Sequence, residues 1–236
     1  MDTITTLWST LVTPTSSALA RGTQAMDMPT LLALAAALGW ASGLRLYAVL
    51  FIAGLSGMLG WIALPNGLQV LQHPALLMAS GAMLFVEFFA DKIPGLDSLW
   101  DLVHSVIRVP GGAALAAAVF GADNATMAVV AGLLGGSLAA TSFAGKAATR
   151  AAVNTSPEPF SNMAVSLLED GLVVGALWLA VQHPLLFAIA LAITLVLTVL
   201  LIAALFKFLK AIGRRLASWL RPSPPIDRGI ACSTRF

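Results

Sequence analysis

PLLFAIALAITLVLTVLLIAALF, residues 184–206, carries no charged side chain and only two hydroxyls. As a helix it would be roughly 34 Å long, enough to cross a hydrocarbon core of about 30 Å. A soluble fold would have to bury such a helix on every face. The rest of the chain offers no polar cover for that. It is 58% hydrophobic and 10% charged, where soluble domains carry about 25% charged residues. Lipid must therefore be the solvent for much of this chain, and the fold class is an all-α polytopic transmembrane bundle.

Further apolar runs precede that segment. Residues 163–181 read as a fifth span and 127–144 as a fourth. Residues 110–121 are a short third span that reaches full length only by borrowing from the segment before it. Residues 74–90 are a second and 30–58 a long first, and Pro65-Asn66-Gly67 marks a turn between them. Six spans result. Three regions follow: a flexible cytoplasmic leader (1–28), a transmembrane domain (29–206), and a basic amphipathic juxtamembrane helix with its tail (207–236).

Basic residues orient the bundle, because they accumulate in cytoplasmic loops. Of 13 Lys and Arg, seven follow the sixth span. Lys92 and Arg108 fall between spans two and three, Lys146 and Arg150 between four and five, and Arg21 precedes the first. The connections 59–73, 122–126 and 182–183 hold none. Both termini are accordingly expected in the cytoplasm. A net charge of +2 is too small to argue for a nucleic-acid partner. The single cysteine, Cys232, allows neither an internal disulfide nor a cysteine metal site.

Charges at membrane depth are the candidate functional residues, since each costs at least about 2.5–3.5 kcal/mol unless paired or hydrated. Arg45 lies inside the first span, next to a Gly39-xxx-Gly43 face that admits a close helix neighbour. It either snorkels or neutralises a buried carboxylate as a structural pair, or it has a solute-binding or gating role. Glu87 and Asp91, four residues apart, share one face at the end of span two. Glu169 and Asp170 sit mid-span. Adjacent residues point about 100° apart on a helix, so they are not expected to face one partner squarely. The expected partners are Arg45 or Lys146, or else an ion path.

Residues 97–109 form an amphipathic segment bounded by Pro94-Gly95 and Pro110-Gly111. Asp97, Asp101, His104, Ser105 and Arg108 share one face. The segment is expected to lie in the headgroup region or to re-enter the membrane beside a cavity. Asp97, Asp101 and His104 have spacing compatible with a metal, but without a Cys or second His no metal is expected. Residues 81–92 and 135–146 match at five of twelve positions, which suggests two related hairpins. No phosphate loop, dinucleotide fingerprint or hydrolase motif is present, so neither an enzyme nor a cofactor is expected.

The stretches LGWASGLRLY (38–47), FFADKIPGLDSLWDLVHSVIRVPGGA (88–113) and FAGKAATRAAVNTSPEPFSN (143–162), followed by LLEDGL, resemble a family of small bacterial membrane proteins filed as a domain of unknown function. The resemblance covers about residues 30–185 and implies a bacterial inner-membrane setting. It brings no activity with it. From the residues themselves the first expectation is a small transporter or channel for an ion or small solute. The path would be lined by Arg45, Glu87, Asp91, Asp97, Asp101, His104, Arg108, Lys146, Glu169 and Asp170. The alternatives are a lipid or polyprenyl-phosphate carrier, and a non-transporting scaffold. The partners expected are the bilayer, such a solute, and a second copy across the Gly/Ala faces.

Overall fold

The fold is described from a computed structural model covering residues 26–90, 93, 96–153 and 159–219. The described chain is all helical. Its elements are α1 (Met28–Met58), a 3-10 turn η1 (Asn66–Gln72), α2 (Pro74–Ala90), α3 (Leu96–Phe120), α4 (Ala125–Val153), α5 (Pro159–Gln182) and α6 (Pro184–Trp219).

Local chemistry sets the helix ends. Asp27 caps α1 by accepting the Thr30 N–H at 3.2 Å, and Asn124 caps α4 by accepting the Met127 N–H at 3.1 Å; both satisfy donors that a helix start leaves open. Pro74 and Pro184 open α2 and α6, where a missing N–H costs nothing. Gly121, with φ +56, follows the last turn of α3 in the left-handed conformation that glycine adopts without a Cβ penalty.

Five helices are long and apolar enough to cross a membrane, α1 among them, and η1 with α2 makes a sixth segment bent by 69°. Length alone does not make α1 a crossing. Arg45 has φ −149 and ψ 87 in the middle of this helix, and an extended residue there redirects the chain. The contacts show by how much. Gly39 lies against Gly135, Gly43 against Ala139 and Ser142, and the Leu44 carbonyl against Lys146, so residues 28–44 run parallel to α4. Arg45 pairs with Glu169 and Asp170 while Ile52, Ala53 and Ser56 line a cavity with Leu177, so residues 46–58 run parallel to α5. The ion pairs from Lys146 and Arg150 to Glu169 make α4 and α5 antiparallel, and the two arms of α1 are therefore antiparallel too. Leu34 and Leu38 accordingly share a small cavity with Ile52, Ala53 and Ser56. The expected single first span is instead a helical hairpin, folded back on itself with Arg45 at its tip. At about 1.5 Å per residue its arms are roughly 25 and 20 Å long, each shorter than a hydrocarbon core of about 30 Å.

This hairpin is the centre of the bundle. From Ala33 to Ser56 most of its residues are buried, and α2, α3, α4 and α5 surround it. Small residues let three backbones converge. A Cβ on Gly112 of α3 would stand 2.8 Å from Ala139 Cβ and 3.1 Å from the Gly39 carbonyl, so α3, α4 and the first arm of α1 pack main chain to main chain. By contrast, α6 packs on one side only and leaves Ile189, Val196, Leu197 and Val199 exposed, a surface suited to lipid.

Helix α3 overturns the expected separate helix at 97–109. It is one helix from Leu96 to Phe120 with Pro110 inside. Proline removes one main-chain hydrogen bond, but Gly111 packs on Leu46 of the hairpin tip and tertiary contact holds the helix through the proline. Asp101, His104 and Arg108 thus belong to the charged half of the third apolar helix and are buried against the protein, where an interfacial segment is one of the two expectations. Replacing Pro110 with alanine should restore that hydrogen bond without disturbing α3. The expected result is an unfolding midpoint unchanged or raised by a few degrees; a large fall in a thermal melt would mean that α3 needs the proline.

The leader expected at 1–28 lies outside the described residues up to 25, and α6 continues as a helix through the basic segment to Trp219. Residues 220–236, with Cys232, also lie outside them.

Candidate functional site

The hairpin tip delivers Arg45 into a set of charges drawn from five helices. The Arg45 guanidinium, with no solvent exposure, places Nε 3.0 Å from Asp170 Oδ1 and 3.6 Å from Glu169 Oε2. Its Nη2 donates to Ser166 Oγ at 2.5 Å. Glu169 and Asp170 do face one partner after all. They lie in adjacent directions on α5, and the flat guanidinium enters between those directions from the hairpin rather than from a parallel helix face.

From there the pairs run on without a gap. Lys146 Nζ lies 3.3 Å from Glu169 Oε2 and 3.1 Å from Asp101 Oδ1. Asp101 accepts from Arg108 Nη1 at 2.6 Å, and Arg108 also pairs with Glu87. Arg150 Nη2 donates to Glu169 Oε2 at 3.3 Å. Four cations (Arg45, Arg108, Lys146, Arg150) thus meet four carboxylates (Glu87, Asp101, Glu169, Asp170). Seven of the eight are buried, and only the Asp170 side chain is partly open, at 31%. Opposite charges in hydrogen-bond contact offset the penalty each would carry alone.

The broken helix contributes main-chain charge as well. Helix termini leave carbonyls at one end and N–H groups at the other. Lys146 donates to the Leu44 carbonyl at 3.1 Å and Ser142 Oγ donates to the Trp40 carbonyl at 2.6 Å, both at the C-terminal end of the first arm, where the helix dipole favours a cation. Asp170 lies in the cavity lined by Ala48, at the N-terminal end of the second arm, where the dipole favours an anion. Each half of the break therefore meets the sign of charge it prefers.

Of the residues expected at the site, Arg45, Glu87, Asp101, Arg108, Lys146, Glu169 and Asp170 come together. His104 stands apart from the ion pairs. Its Nδ1–H donates to the Trp100 carbonyl at 2.9 Å, its ring stacks on Trp100 with centroids 4.1 Å apart, and it meets Tyr47 edge-on. Asp91 and the side chain of Asp97 lie outside the described residues. Arg150 and Ser166 went unrecognised. Arg150 follows Lys146 by one helical turn on the same face, the signal that could have found it, but the apolar run ends before it while the helix continues to Val153.

The match to known families now carries weight, because it spans this whole arrangement from the first arm of the hairpin into α6. A model of the domain of unknown function DUF4126 matches residues 32–204. The chain belongs to the DUF4126 family. No curated protein and no solved structure matches it. In this DUF4126 protein the matched region contains every member of the network and all of the hairpin except its first four residues.

Proposed function

We propose that this integral membrane protein is a small transporter of an ion or small solute, not an enzyme, and that the network around Arg45 is its coupling centre. The observation that carries the proposal is the helical hairpin whose charged tip meets carboxylates from α5. Non-helical backbone at membrane depth is tolerated only where protein buries it or it lines a cavity. Interrupted helices whose ends meet charges form substrate sites in many transporters. The partner-sharing supports a switching role: Glu169 serves Arg45, Lys146 and Arg150, and Asp101 serves Lys146 and Arg108. A cation can therefore change partner without being left uncompensated.

The setting we infer is the bacterial inner membrane, with the network end of the bundle facing the cytoplasm. Lys207, Lys210 and Arg214 continue α6 at that end, as Lys146 and Arg150 do α4, which agrees with the positive-inside bias. The hairpin puts Met28 at the opposite end from the last turns of α6. In this reading residue 28 faces outward while the end of α6 faces the cytoplasm, in place of the expected arrangement with both termini inside.

The protein reconstituted in liposomes with an entrapped pH indicator or ion indicator tests the proposal. We expect flux of at least one of proton, Na+, K+ or chloride above empty vesicles, and a loss of at least about tenfold in Glu169→Gln, which keeps the side-chain shape and removes the shared charge. A wild-type protein that is folded, inserted and silent for all four ions would contradict it.

A further inference from the structure

One carboxylate of the network differs from the other three. The side chains of Glu87, Asp101 and Glu169 are at most 8% exposed, and that of Asp170 is 31% exposed. Asp170 lines a cavity of about 330 Å³. Its frame is Ala48 and Ile52 of the second hairpin arm, Leu84, Phe85 and Phe88 of α2, and Val174 of α5. Among the described residues of the wall, Asp170 alone can ionise. Phe85 and Val174 are themselves exposed, so the cavity is open at its mouth.

The groups beside this opening decide what it can pass on. A metal cation gives up its water only for several oxygen ligands. Among the described residues no three Asp, Glu or His side chains are grouped to hold one. An anion would need a cation to spare, and Arg45, Arg108, Lys146 and Arg150 all contact carboxylates. A proton needs one carboxylate that water can reach. The charges around Asp170 make it the easiest of the four to neutralise. Arg45 faces it from α1 at 3.0 Å, while Tyr47 meets His104 of α3. Lys146 and Arg150 of α4 pair with the neighbouring Glu169. Glu87 of α2 pairs with Arg108, and α6 carries no charge from 184 to 206. With Asp170 protonated, Arg45 still has Glu169 at 3.6 Å and the Ser166 hydroxyl. Protonating Glu169 instead would withdraw a carboxylate from three cations at once.

We propose that Asp170 is the proton-uptake site of the network. A proton arriving through this cavity converts its carboxylate to the carboxylic acid, and Arg45 keeps Glu169 as its charged partner. Each proton taken up thus loosens one tie between the hairpin tip and α5, as expected of an intramembrane acid on a proton path. The inference rests on the transport reading and names the transported ion as the proton. Uptake at Asp170 is read chemically, without a flux assay, so the two can fail separately.

The test is reaction with dicyclohexylcarbodiimide, an apolar reagent that takes a protonated carboxyl group across its N=C=N unit. Every atom of both partners stays in the N-acylurea that results. The full chain in phosphatidylcholine nanodiscs is treated at about pH 5 and about pH 9, and the adduct is located by mass spectrometry. We expect it on Asp170 and not on Glu87, Asp101 or Glu169. It should form at least about tenfold faster at the lower pH, because only the protonated acid reacts. Asp170→Asn should remove the adduct and Asp170→Glu should keep it. Val174→Phe, which narrows the mouth at an exposed position, should slow it with an unchanged thermal melt. The wild-type adduct is located directly, so the result does not depend on Asp170→Asn folding. No adduct on Asp170, or one whose rate ignores pH, would overturn the proposal. A pH-dependent adduct in a protein that passes no ion would keep the uptake site and remove the transport reading. Flux of Na+, K+ or chloride with Asp170 unreactive would do the reverse.

Discussion

Replacing Arg108 with leucine is expected to cost about 3–5 kcal/mol of stability, the usual penalty for removing one partner from a buried ion pair. Arg108 joins Glu87 on α2 to Asp101 on α3, and the side chains of all three are at least nine-tenths buried. The substitution keeps much of the volume but leaves two carboxylates without that cation at membrane depth. In detergent the unfolding midpoint should fall by about 10 °C or more, at the roughly 2–4 °C per kcal/mol usual for a chain of this size. Adding Glu87→Leu should recover part of the loss, since apolar groups of similar size can replace a buried pair at little cost. The double substitution then costs less than the two singles together. A single Arg108→Leu melting within about 2 °C of wild type would show that water reaches this part of the network.

Gly39→Val is the second severe change. A Cβ at Gly39 would stand 2.8 Å from the carbonyl oxygen of Gly135, and nearer still to its Cα. The obstacle is main chain, which cannot rotate away as a side chain can. The first arm would have to move off α4, taking the Leu44 carbonyl from Lys146 and the Trp40 carbonyl from Ser142. Overpacking a close-packed interior typically costs about 1–3 kcal/mol, and here lost hydrogen bonds add to it. Little monodisperse protein should be recovered by size-exclusion chromatography. Gly171→Ala, placed in open space on α5, should behave like wild type. Normal recovery of Gly39→Val would mean that the arm does not pack main chain to main chain on α4.

The membrane class, the helix content and most members of the buried charge network were legible in the sequence. The uncharged run at 184–206 admits little but lipid contact, and α6 is the most exposed helix of the bundle. Isolated charges in apolar runs must find each other, which is why Arg45, Glu169 and Asp170 meet. Direction was not legible. Hydropathy measures how apolar a segment is and is blind to a helix that turns back at one residue, so 30–58 read as a long span. The Gly39 and Gly43 spacing gave a close helix contact, correctly, but could not say that α4 runs parallel to it. Pro110-Gly111 is the opposite error: the dipeptide is a strong breaker in isolation, yet packing against Leu46 carries α3 through it. Arg150 escaped because an apolar window ends where polar residues begin, while the helix that positions it continues into them.

The turn at Arg45 is the feature on which the network and the proposed coupling both depend, and one distance tests it. Met28 and Met58 stand at the two ends of α1, and both are about half exposed, so each can carry a spin label after Met28→Cys and Met58→Cys in a Cys232→Ser background. Double electron–electron resonance in nanodiscs then reads their separation. Packed arms with axes about 8–10 Å apart, plus two label tethers, give a distance on the order of 20 Å. A distribution centred near 45 Å, the length of one straight helix at about 1.5 Å per residue, would mean that α1 crosses the membrane and that Arg45 is not a hairpin tip.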